Sequence, residues 1–272
     1  MLRELATDGR AVSHVLGVVL VVAVVLAGVV SIVGFGITGL TDSTADLSDT
    51  AVERDLTGIA GAIDSVTVDG ASAAGTTTVE LSTGDLAESR DRVTVDGTAG
   101  TLTVAVRAGD TERELANTSL GVLEYENPGS NARIAYQSGL VFSAPDRGAT
   151  PAVVRSNAFS HRTVAGFSSL TLPVIRVEGQ TRLDQRLVVT AGVARNRHPG
   201  VLVGENGTDA DEVVLRVDSA YSAGWALALR ELFPAEQTTI SRTGATVEVV
   251  YDVPPTGLFL HLYRHDVRLD GR

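Results

Sequence analysis

From Ala11 to Ile37 the chain runs for 27 residues without an Asp, Glu, Lys or Arg, and His14 is the only titratable side chain in that stretch. About 20 apolar residues are enough to cross the core of a bilayer. Seventeen of the 27 are Val, Leu, Ile or Phe, each worth roughly −0.3 to −0.6 kcal/mol at the centre of an inserted helix. Their sum outweighs the few Ser and Gly among them, so the segment is expected to form a single transmembrane α-helix. Everything after it is polar and strand-like, and must lie on one side of the membrane. Basic residues stay on the cytoplasmic side. Arg3 and Arg10 precede the segment, whereas Asp42, Asp46 and Asp49 follow it and no basic residue appears before Arg54. Residues 1–10 are therefore expected inside and the long C-terminal part outside the cell; Glu4 and Asp8 weigh little in this rule.

The charge balance narrows the partners. The formal net charge is −11, which argues against phosphate-rich partners and gives no basic patch for nucleic acid. All 22 basic residues are Arg, with no Lys. An acidic, Lys-free composition suits a protein working at molar salt, where a Debye length of about 3 Å screens repulsion between surface carboxylates; GC-rich coding would also replace Lys by Arg. The chain has no Cys, which excludes disulfides, thiolate metal sites and Cys nucleophiles.

The leader, residues 1–10, is short and polar, and the apolar run behind it is longer than the 7–15 residues of a secretory signal. A small-residue cleavage site, Ser43-Thr44-Ala45, lies well beyond that run. Gly9-Arg10 followed by Ala11-Val12-Ser13-His14-Val15-Leu16-Gly17-Val18 resembles the class III signal of archaeal type IV pilins and pilin-like proteins. The resemblance implies a prepilin peptidase that cuts between Arg10 and Ala11, a mature chain starting at Ala11, and other pilin-like subunits as partners. His14 departs from it, standing where the halophile pattern has Pro. Ala23, Ala27, Gly28, Ser31, Gly34 and Gly36 would let identical helices approach closely, although Gly is common in any transmembrane helix. Beyond Ile37, Leu40, Leu47, Val52, Leu56, Ile59 and Ile63 mostly recur at helical spacing. A transmembrane and amphipathic helix is expected over 11–63. In a pilin-like arrangement its outer half packs on the globular domain; in a plain anchor it is a stalk.

From residue 64 the period changes to two. Short β-branched runs at 66–68, 76–81, 92–97, 101–107, 121–126, 132–137, 140–143, 170–177, 185–191, 212–218, 246–252 and 258–263 read as strands, with Asp69-Gly70 and Asp96-Gly97 as tight hairpins. One segment, Asp218 to Phe233, reads as a helix that stops before Pro234, with the lone Trp225 anchoring it on a sheet. The fold expected over 64–272 is thus mainly β, an antiparallel sandwich or meander with one short helix, with a possible domain break near 192–207. Leu123-Glu124-Tyr125-Glu126, Ile134 to Phe142 and Ser169 to Ile175 resemble blocks of an uncharacterised pilin-like family of halophilic archaea. That resemblance implies a class and no activity.

Catalytic signatures are missing: there is no nucleophile elbow, phosphate-binding loop or dinucleotide fingerprint. His261, Tyr263 and His265 share one face if 261–265 is a strand, which raises a metal site, but no third ligand stands near except Asp266 on the other face. Ser156, Ser160 and His161 raise a hydrolase with no motif behind it, and Asp209, Asp211 and Glu212 read as a loop of hydrated acids more readily than as a Ca2+ site. No enzyme, metal or cofactor is expected. Asn117-Thr118-Ser119 and Asn206-Gly207-Thr208 are N-glycosylation sequons, both expected in external loops. The expectation is a pilin-like surface protein, anchored or assembled in a filament, with roles in assembly or adhesion. The alternative is a bitopic envelope protein with an external β-rich domain that binds a partner or glycan.

Overall fold

β-branched side chains fit the pleated, half-buried surface of a sheet, and runs of Val, Thr and Ile after residue 64 build such sheets: among the described residues the fold is mainly β, with two α-helices. The computed structural model describes residues 49–61, 63, 75–79 and 92–271, less the short stretches 129–130, 145–149, 157–158, 165–166, 184–186, 193–199 and 205–206. The leader, the apolar segment 11–37, the Asp69-Gly70 turn and Asn206 lie outside these residues. All described residues belong to one unit, Ser48–Arg272, and none of their helices is long and apolar enough to cross a membrane.

The described strands form three sheets. Sheet A runs β1 (Gly75–Val79), β12 (Leu187–Gly192), β17 (Leu258–Gly271), β10 (Phe167–Glu178) and β9 (Ser160–Val164), with β13 (Val201–Val203) also on β17. Sheet B runs β11 (Gln180–Leu183), β2 (Arg92–Asp96), β5 (Val122–Glu126), β6 (Arg133–Gln137), β7 (Leu140–Ala144) and β8 (Ala152–Arg155). Sheet C runs β15 (Thr238–Thr243), β16 (Thr246–Asp252), β14 (Glu212–Asp218), β3 (Thr101–Ala108) and β4 (Thr111–Ser119). Pairing is antiparallel except between β10 and β17, which run parallel from Ser168↔Leu258 to Glu178↔Arg268. The segment 192–207 does not separate two sheets: β12, which ends at Gly192, and β13, which lies within the segment, both pair with β17.

The Asp96-Gly97 turn is a correction. β2 and β3 belong to different sheets, so this Asp-Gly is a crossover and not a hairpin. The Asp96 carboxylate accepts hydrogen bonds from the Thr98 hydroxyl (2.7 Å) and N–H (2.8 Å), which also lower its pKa, and the Gly97 N–H donates to the Gly179 carbonyl at 3.1 Å. The local turn chemistry is as expected for Asp-Gly; tertiary partners redirect the chain.

Two hydrophobic cores lie on opposite faces of sheet B. On one face, Val52, Leu56, Ile59 and Ile63 of helix α1 (residues 49–61, with 63 still helical) pack with Val93, Tyr125, Ile134 and Tyr136. Asp49, in the first turn of α1, accepts a hydrogen bond from the Asn127 amide at 2.9 Å. On the other face, helix α2 (Ser222–Leu232) sets Trp225 against Phe142 and Phe159. Trp225 is fully buried, and its indole N–H donates to Gln137 Oε1 at 2.8 Å; the same oxygen accepts from the Ser219 hydroxyl at 2.7 Å, while Gln137 Nε2 donates to the Ala99 carbonyl at 3.1 Å. The lone Trp thus anchors the helix on a sheet, as its place in the pattern predicts.

β10 and β17 cross both cores. Leu170, Leu172, Leu258, Leu260 and Leu262 belong to the core with Trp225, whereas Ile175, Val177, Val267 and Leu269 belong to the core with α1. Because neighbouring residues of a strand point to opposite faces, each strand buries one face at one end and the other face at the other end. The first half of this pair therefore has a face that neither core covers.

Candidate functional site

That uncovered face follows from Leu258-Phe259-Leu260-His261-Leu262-Tyr263. The three Leu enter the core, so Phe259, His261 and Tyr263 stand together on the other side. The Phe259 and His261 ring centroids are 6.0 Å apart with planes 15° from parallel, and those of His261 and Tyr263 are 6.2 Å apart at 3°. Parallel register places Ser169, Thr171 and Pro173 of β10 beside them, and antiparallel register places Arg162 and Ser160 of β9 beside Ser169 and Thr171. Phe167 opens β10 on the same face. Phe167 is 60% exposed and Phe259 43%, two of the four large apolar side chains left open among the described residues. With Arg162, Ser169 and His261 they line a shallow depression of about 440 Å³. Gly200 comes so close to His261 that a Cβ there would sit 3.0 Å from the imidazole, so a bulkier residue would displace the ring. Arg162 is exposed and makes no ion pair among the described residues.

The other candidates separate. His261 and His265 share a face, but four strand residues span about 13 Å, and His261 stacks on Tyr263. No group of three His, Cys, Asp or Glu gathers among the described residues. His265 is held below the usual histidine pKa by burial, opposed by Asp266. Ser160 and His161 are neighbours on β9 and face opposite ways. His161 turns inward, where its Nε2 lies 3.0 Å from the Tyr251 hydroxyl and its ring packs against Phe233; burial lowers its pKa. Ser156 is exposed beyond β8. Of the acidic run, Glu212 forms an ion pair with Arg107 at 2.8 Å, while Asp209 and Asp211 border an open groove with Pro254 and Pro255. Arg107 also bonds Glu112, which Arg216 bonds in turn. The Arg216 hydrogen bond is the main reason that the Glu112 pKa falls to about 2.

Asn117 is exposed, but not in the loop expected for it: it lies on β4 opposite Thr103. β4 is the edge strand of sheet C, and its charged start, Thr111 to Glu114, is exposed, so it lacks the apolar alternation that marks a half-buried strand. Arg10, Ala11 and Asn206 lie outside the described residues. No sequence motif singles out Phe167, Phe259, Arg162 or Gly200. The signal that would have found the aromatics is the Leu/aromatic alternation at 258–263, since a strand that buries Leu must present its Phe, His and Tyr elsewhere.

A model of one protein family matches residues 10–270, and its description is "Family of unknown function (DUF7289)". No curated protein and no solved structure matches the chain.

Proposed function

We propose that this chain, which belongs to the family of unknown function DUF7289, is a pilin-like surface protein with one N-terminal membrane helix and an external β-rich domain. In this reading a prepilin peptidase removes residues 1–10. The helix that starts at Ala11 then anchors the domain or joins other subunits in a filament, where the protein serves assembly or adhesion. The observation that supports it is α1. The chain that follows the apolar segment is docked on sheet B, with Val52, Leu56, Ile59 and Ile63 at most 1% exposed, as a pilin-like arrangement requires and a free stalk does not. The test is the mass of the N-terminal peptide from native membranes. A start at Ala11 is expected. An intact Met1 would overturn processing and leave the second reading, a bitopic envelope protein whose external domain binds a partner or glycan, which the open aromatic face of sheet A favours. A start beyond Ala45 would sink both, because the apolar segment would then be a discarded signal.

A further inference from the structure

We propose that the open face of sheet A binds an acidic polysaccharide, a chain of uronic or sulfated sugars. Three features of the face carry this. Phe259, His261 and Tyr263 form a row of near-parallel rings, on the order of 13 Å along the strand. The C–H groups of a sugar ring are weakly positive and pack against the negative face of an aromatic ring, and a polymer offers that contact repeatedly along a row. Beside the rings stand Ser160, Ser169 and Thr171, whose hydroxyls donate to and accept from sugar oxygens.

The third feature is charge. The chain has 33 Asp and Glu against 22 basic residues, yet no acid occurs in β9, in β10 from Phe167 to Pro173, in β13, or in β17 from Leu258 to His265. The charge on the face is cationic, from exposed Arg162 with no ion-pair partner among the described residues. A guanidinium pairs two N–H groups with a carboxylate or sulfate, so the complement of this face is an anion on a sugar ring. A second copy of the chain fits less well, because the face is far smaller than the 20–30 residues a side of a stable interface. The proposal does not depend on how the N-terminus is processed.

The test uses the full-length protein in detergent micelles, with polygalacturonate and neutral dextran as probes at moderate salt. Binding to polygalacturonate and not to dextran is expected. Arg162→Gln and Phe259→Ala should each weaken it about tenfold, and the loss should track the face because both side chains are exposed and thermal unfolding should stay unchanged. Four results would overturn the proposal: no binding to polygalacturonate, equal binding to dextran, retention of full affinity in both variants, or a wild-type dimer in sedimentation that Phe259→Ala abolishes.

Discussion

At the scale of single residues, the packing of α2 shows why propensity alone misleads. Gly224 sits inside the helix, where Gly is worse than Ala by about 1 kcal/mol. A Cβ at this position would lie 2.5 Å from Phe142 Cδ1. The Phe142 ring cannot easily yield, because it stacks on Tyr221 at 5.2 Å and 1° and packs against Trp225. Overpacking costs about 1–3 kcal/mol, more than the propensity gain, so Gly224→Ala should lower stability by on the order of 1–2 kcal/mol in denaturant unfolding. An unchanged or raised midpoint would show that Phe142 can turn aside. Gly121 (φ +65) carries a stricter demand: an added Cβ would meet the Val177 carbonyl at 2.1 Å, where the chain passes from sheet C to sheet B. Both glycines were visible in the sequence, but neither the ring nor the carbonyl that makes them necessary was, since Phe142 and Val177 come from distant strands.

At the scale of elements, α1 is the part whose role the sequence left open. Its apolar spacing was legible, and four of the predicted positions face a core. Whether that face met a domain or only solvent depended on sheet B. If α1 were a stalk, Leu56→Ala would be nearly silent. Packed as it is, the change should cost about 2–5 kcal/mol, read as a shift of the urea midpoint with unchanged slope. A shift equivalent to under about 0.5 kcal/mol, the range of ordinary surface substitutions, would contradict the packed helix. Strands were legible where β-branched runs were bounded by Gly or Asp, as in β2, β3, β14 and β16. They were illegible at β4 and β15, polar strands at the two edges of sheet C, where one side of the backbone pairs and much of the side-chain surface stays in water.

At the scale of the whole molecule, the two cores share β10 and β17, a continuous parallel pair. Neither core can open fully without disturbing these strands, so Ser48–Arg272 should unfold in one transition. Leu56→Ala in one core and Leu215→Ala in the other should both move that transition without splitting it, when intrinsic Trp225 fluorescence and far-ultraviolet circular dichroism are followed together. Divergence of the two signals in either variant would mean that the cores melt separately. The same sharing creates the candidate site, because a strand that changes its buried face part-way along leaves the opposite face open over its first half.

Local chemistry accounts for a 27-residue segment without Asp, Glu, Lys or Arg, a mainly β remainder, the position of α2 and the anchoring role of its Trp. Periodicity and turn residues act over a few positions, and they survive any tertiary arrangement that keeps one face dry. Long-range packing sets that Asp96-Gly97 crosses between sheets, that α1 is packed, and that Phe167, Arg162 and Phe259 come together. The last of these rests on the parallel pairing of strands some 90 residues apart in the chain and the others on which sheet each segment joins, and no local preference encodes which distant strand will supply the neighbour.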